Sequence, residues 1–165
     1  MNHPKITAVS PLVEHVDVSS QLGINGWRGV ELEELAFCMH LNLRCDPSDS
    51  QALTAASTAL GVALPLRPNT FHEASDIRIH WLGPDEWLVV APTTDIHLVD
   101  KIVSAWTGFH HSVTDITGGQ TVIRIQGDRA RELFNHGCTL DLHHRVFKVG
   151  HCAQSLLAQV PVLIS

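Results

Sequence analysis

The residues able to do chemistry in this chain are twelve histidines, four cysteines and a few carboxylates in apolar or turn settings. Their spacing decides what they can do. A zinc site needs three or four ligands at characteristic offsets. His110-His111 and His143-His144 are adjacent pairs, whose side chains diverge in a strand and sit about 100° apart in a helix. His136-Gly137-Cys138 and His151-Cys152 lack the second half of a zinc set, and no H-E-x-x-H occurs. The expectation is that no metal is bound and that the histidines serve the core or the surface.

Cys38, Cys45, Cys138 and Cys152 form no C-x-x-C pair and are too scattered for a disulfide framework, so they read as small buried hydrophobes in a reducing compartment. Cys138 follows a predicted helix, where the negative end of the dipole does not favour a thiolate, and no G-x-S-x-G elbow marks a serine. Asp85 and Glu86 fall in a Gly-Pro turn between apolar runs and are expected to serve the turn itself, Asp85 by bonding backbone two residues on. Asp115 stands between Val113 and Ile116, where a carboxylate needs a partner such as Arg124 or a backbone cap. Gly118-Gly119 and Gly127-Asp128 do not complete a nucleotide-binding loop. No catalytic set is legible.

The elements that must position these groups follow from periodicity. Residues 37–44 alternate apolar and other side chains, a half-buried strand. Asp46-Pro47-Ser48 leads into a helix with Leu53, Ala56 and Leu60 on one face; Ser48 and Gln51 fit a capping box, and Gly61 fits the C-terminal stop. Pro65 and Pro68 impose a loop. Residues 77–81 and 87–91 read as a hairpin, with Trp81 and Trp87 flanking Gly83-Pro84-Asp85-Glu86. Thr93, Thr94 and Asp95 are candidate caps for an amphipathic helix through Leu98, Ile102 and Trp106, ending at Gly108.

Residues 112–116 and 120–126 read as strands joined at Gly118-Gly119, and a short helix carries Leu133 and Phe134. Residues 155–164 look like one apolar strand interrupted by Pro161 and lacking a partner. The predicted class is α+β with a split β-α-β-β-α-β (ferredoxin-like) core. Residues 1–34 form an N-terminal arm and 35–165 a single domain.

Composition sets the remaining bounds. A net charge of −6 with no basic cluster excludes a nucleic-acid binder. No stretch approaches the roughly 18 apolar residues of a membrane span, which points to a cytoplasmic protein. Charged residues are only 17% of the chain, so part of the surface is expected to meet a partner, with at least one of Trp27, Trp81, Trp87 and Trp106 at that contact.

Several segments, in collinear order over roughly residues 35–164, resemble the gamma subunit of heterotetrameric sarcosine oxidase. They are His40-Leu41-Asn42-Leu43-Arg44 with Asp46-Pro47, Leu64-Pro65 through Pro68-Asn69-Thr70, and Trp81-Leu82-Gly83-Pro84-Asp85-Glu86-Trp87-Leu88. Asp115-Ile116-Thr117 with Thr121 to Ile125 resembles the family's following strand pair, and Gly137-Cys138-Thr139-Leu140-Asp141-Leu142-His143 and Phe147-Lys148-Val149-Gly150 complete the set. Thr139 stands where the family commonly has proline. Asn42, Arg44, Asn69, Gly83, Pro84, Asp85, Trp87, Cys138 and Asp141 are the motif residues, expected to be structural.

The resemblance implies a non-catalytic assembly subunit that binds no cofactor itself. Its partners would be alpha, beta and delta subunits of a complex that demethylates sarcosine to glycine, carrying FAD and FMN mainly on beta, NAD and tetrahydrofolate on alpha, and zinc on delta. It also implies a fold resembling part of the folate-binding aminomethyltransferases, and a family C-terminal segment some tens of residues beyond Ser165, so that the chain reads as C-terminally truncated. Two alternatives stand beside it. One is a subunit of a related N-methylglutamate dehydrogenase; the other is a stand-alone folate-binding or aminomethyltransferase-like protein, in which Asp115 would face a pterin-sized pocket.

Overall fold

The computed structural model describes residues 9–15, 29–93 and 95–165. Trp27, Thr94 and most of the expected N-terminal arm lie outside the described residues. The chain divides into two compact units, one of Met1–Phe37 with Thr121–Ala130 and one of Cys38–Gln120 with Arg131–Ser165.

In the first unit, β1 (Glu31–Leu35) pairs antiparallel with β7 (Val122–Gln126), Glu33 opposite Arg124. Arg124 bonds Glu33, Gln126 bonds Glu31, and the Thr121 hydroxyl donates to Glu34 at 2.7 Å. Oppositely charged residues directly across a ladder favour that register. The expected pairing of residues 120–126 with 112–116 is therefore replaced by a longer-range one. Beside this ribbon the backbones of Gly29 and Gly127 nearly touch: a Cβ on Gly127, at φ +117°, would lie 2.0 Å from the Gly29 carbonyl oxygen. Only glycine fits there.

The second unit is built on a five-stranded antiparallel sheet in the order β3 (Phe71–Ala74), β4 (Ile77–Gly83), β5 (Glu86–Pro92), β2 (Cys38–Cys45), β6 (His111–Asp115). Alternation along β2 and β5 sends Leu41, Leu43, Cys45, Trp87, Val89 and Ala91 to one face. There they meet Ala52, Ala56 and Leu60 of α1 (Ser50–Leu60) and Leu98 and Ile102 of α2 (Leu98–Ala105). The class is mixed α and β, with sheets and few helices. Trp87 and Trp106 are wholly buried in this core, and each indole N–H finds a backbone acceptor: Pro65 O at 2.7 Å and Ala52 O at 2.9 Å. Both therefore serve the core, which leaves Trp81, partly buried, as the described tryptophan still open to a partner.

Local chemistry explains the helix ends. Asp49, not Ser48, caps α1, its Oδ1 accepting from Gln51 N and Ala52 N at 3.0 Å each, while Asp46 holds Ser48 through an Asx turn. Ser48 lies one residue ahead of the capping position, and its hydroxyl donates to Asp46 Oδ1 at 2.7 Å. Asp49→Ala is expected to cost about 1 kcal/mol, seen as a lower urea midpoint with unchanged slope. Gly61 at φ +71° closes the helix as expected. Before α2 the residue in the capping position is His97, without a side-chain cap bond, and Asp95 instead pairs with Lys101 at 3.0 Å.

After α3 (Ala130–Asn135) the tail is a hairpin rather than one unpaired strand: β8 (Ala153–Leu157) pairs with β9 (Val160–Ile164), Leu156 opposite Pro161. Its turn uses Ala158 at φ 54°, a conformation that side chains other than glycine and asparagine seldom adopt. Cys152 N donates to Asn69 O and Phe71 N to Gly150 O, tying this segment to the loop before β3.

A candidate functional site on the tryptophan hairpin

The β4–β5 hairpin closes with a two-residue loop, Pro84-Asp85, between Gly83 and Glu86, with one irregularity at Leu82 whose carbonyl accepts from Gln154 Nε2 at 2.9 Å. The acids expected to serve the turn reach instead to the neighbouring strand β2. Arg44 Nη2 donates to Asp85 Oδ2 at 2.7 Å, and Asn42 Nδ2 donates to Glu86 Oε1 at 2.7 Å. The register explains this: Arg44 stands opposite Glu86, and Asn42 lies one diagonal step away, within cross-strand reach. Three of the motif residues, Asn42, Arg44 and Asp85, thus join Glu86 in polar contacts on the sheet face away from α1 and α2. Both members of the Arg44–Asp85 pair are about half exposed, so the contact sets register more than it adds stability.

Trp87 points to the opposite face, into the core. Asn69, at φ 57°, offers its carbonyl to Cys152 N. Cys138 is buried and takes part in a bridge to Leu157, and Asp141 Oδ1 accepts from His143 N at 2.9 Å. These residues are dispersed, each fixing a separate turn.

Asp115 ends β6 exposed to solvent, while Arg124 pairs with Glu33 in the ribbon of the first unit. Asp115 Oδ1 accepts from Thr117 N at 2.9 Å, and the hydroxyl and backbone of Thr117 hold its carboxyl below the usual range. The Thr117 hydroxyl accepts in turn from His40 N at 3.0 Å. This is a backbone cap on the turn at Thr117–Gly119, one of the two outcomes expected of Asp115. Shallow cavities open beside α1, against Leu53 and Leu66, and at Gly29 and Asp128; neither includes Asp115.

Two histidines are buried although neither is marked as a core position by the sequence. His40 and His80 are 2% and 5% exposed, and Nδ1 of each lacks a hydrogen-bond partner. They lie on the same sheet face as Asn42, with the ring of His80 5.7 Å from that of Phe71. Burial lowers the pKa of both; for His80, burial, then Arg78 and His40, bring it down to about 4. The cysteines are free thiols. Burial, with the charges of Asp46, Asp49 and Asp85, pushes Cys45 up to about 11, and burial also raises Cys38 and Cys152. Thiols held protonated are poor nucleophiles. Among the described residues no three His, Cys, Asp or Glu side chains gather as a metal would require, and no helix is long and apolar enough to cross a membrane.

Fold and site together define a class: a mixed α/β domain whose polar motif residues hold its own strands and turns in register. Residues 44–165 match the sarcosine oxidase, gamma subunit family, and the chain belongs to that family. It is 33% identical over 136 residues to sarcosine oxidase subunit gamma of an Arthrobacter species, and 33% identical over 142 residues to that of Corynebacterium sp. strain U-96. These alignments cover 82% and 86% of this chain but 66% and 68% of the relatives, so the chain spans about two thirds of their length. A chain of the heterotetrameric sarcosine oxidase from Corynebacterium sp. U-96, solved in complex with pyrrole 2-carboxylate, superposes with a TM-score of 0.85 at 31% identity, covering 94% of this chain and 80% of that one.

Proposed function

We propose that the chain is a non-catalytic structural and assembly subunit of a cytoplasmic, heterotetrameric, flavin-dependent sarcosine oxidase that demethylates sarcosine to glycine. The observation that carries this reading is the match to a chain of such a heterotetramer across 94% of the sequence. The partners are the alpha, beta and delta subunits, and FAD, FMN, NAD and tetrahydrofolate belong to the complex rather than to this chain. Sarcosine, rather than N-methylglutamate, is favoured because the relatives named above are sarcosine oxidase subunits.

The strand order of the second unit supports the finer fold assignment. Leaving out β3, the elements run β2, α1, β4, β5, α2, β6 with β6, β2, β5 and β4 side by side. That order is the one expected of a split β-α-β-β-α-β core and supports that assignment, with which we place the proposed likeness to part of the folate-binding aminomethyltransferases. A folate site on this chain would need Asp115 free to meet a pterin; its oxygen is instead engaged by the Thr117 amide.

Co-expression with the other subunits tests the reading. The chain is expected to co-purify in fixed proportion with flavin-containing subunits, and omitting it to lower the yield of assembled, flavin-loaded complex. Isolation as a stable monomer beside a complex that assembles and turns over without it would overturn the proposal.

A further inference from the structure

The segment from His143 to Gly150 is hydrogen-bonded at both ends and yet offers apolar side chains to solvent. Its backbone is pinned at both ends: Val146 N and Phe147 N donate to His143 O at 2.8 and 2.9 Å, and His151 N donates to Lys148 O at 3.0 Å. Phe71 N takes the Gly150 carbonyl, and Phe147 turns its ring edge toward His151 at 6.1 Å. Out of this frame project Val146, 56% exposed, and Val149, fully exposed. Single exposed valines are ordinary. Two of them three residues apart on a hydrogen-bonded loop are not, because such a loop has already given up part of the chain entropy that docking would otherwise cost.

Charge distinguishes the loop further. In a chain of net charge −6, residues 143–151 carry Arg145 and Lys148, three histidines and no acid. Arg145 and Lys148 are exposed, and neither is ion-paired among the described residues. The nearest acid in sequence, Asp141, has an oxygen committed to the His143 amide.

We propose that this loop is a docking prong, and that it inserts Val146 and Val149 into an apolar groove rimmed by acidic side chains on another subunit of the oxidase. The inference rests on the assembly reading above and adds the surface that makes the contact. Charge complementarity selects the occupant: the cationic rim of the prong meets carboxylates, and its valines meet the desolvated centre, as in interfaces with an apolar core and a polar rim. A second copy of this anionic chain fits less well.

Val149→Asp places an acid at the tip without touching the core, so its thermal midpoint should match that of the native chain. Ile96→Asp, altering a 72% exposed residue elsewhere in the second unit, is the control. In co-expression with the other subunits, Val149→Asp is expected to lower recovery in the complex at least tenfold and Ile96→Asp to leave it unchanged. Arg145→Glu with Lys148→Glu is expected to slow association and flatten its salt dependence.

Equal recovery of native and Val149→Asp chains would overturn the prong while leaving the assembly reading intact. Failure of the native chain to associate at all would overturn both. Loss with Ile96→Asp as great as with Val149→Asp, or a homodimer by light scattering that Val149→Asp dissolves, would also overturn it.

Discussion

Trp87→Ala is expected to lower stability by about 3–5 kcal/mol, the range for removing a fully buried large aromatic. The indole is 0% exposed and fills the sheet–helix core beside Leu43, and its N–H bonds the Pro65 carbonyl at 2.7 Å. Since domains are stable by only about 5–15 kcal/mol, the alanine variant should be largely unfolded in low urea. Trp87→Phe separates the two contributions: it keeps most of the apolar volume and leaves the Pro65 oxygen without its donor, a loss of about 1–3 kcal/mol. Urea midpoints for both variants check the expectation, and an alanine variant as stable as the native chain would refute the packing described here.

The second large effect is acid destabilisation through His80. In the folded chain its pKa is about 4; unfolded, it returns to near 6.5. Between those values the unfolded chain binds a proton that the folded chain refuses, so stability falls as pH drops from about 6.5 to about 4, and this group adds no pH dependence above that window. The full loss is about 3 kcal/mol, at 1.36 kcal/mol per pKa unit. The charged neighbours are Arg78 and His40, which disfavour protonation, and Glu73, which favours it. His40, lowered by its own burial, adds to the same slope. Asp46, Asp95 and Asp115, held low by hydrogen bonds, lose their contribution only as pH falls further, through their folded values. Stability measured at several pH values should therefore show a shallower slope in His80→Leu than in the native chain; identical slopes would exclude His80 as the cause.

How much of this was legible in the sequence follows the reach of each interaction. β2, α1, the β4–β5 hairpin and α2 were readable because their signals are local: period-two alternation, Gly61 after Leu60, and a Gly-Pro turn between apolar runs. β3 escaped because Phe71–Ala74 is four residues long and followed by a turn with Ser75 at φ 52°, where no glycine announces it. The β8–β9 hairpin escaped for the same reason, since Ala158-Gln159 carries no turn residue of the usual kind. The pairing of β7 with β1 spans some ninety residues, which no window of sequence contains.

At the site, Asn42, Arg44, Asp85 and Glu86 could each be picked out, but not that they bond to one another. That depends on Arg44 lying opposite Glu86, a fact of register. His40 looked like the solvent side of a half-buried strand; the sheet buries both sides at that point.

The sheet order also has a consequence for the nascent chain. β2 is an interior strand, yet it is the first of its sheet to be synthesised, and its partners β5 and β6 lie about 40 and 70 residues downstream. At roughly 5–20 residues per second of synthesis, β2 waits on the order of 2–8 s with both edges open, before β5 emerges to pair with it. A ribosome-bound segment of that kind is a natural client for chaperones, and overexpression that outruns them should send this chain into inclusion bodies before its partners can matter.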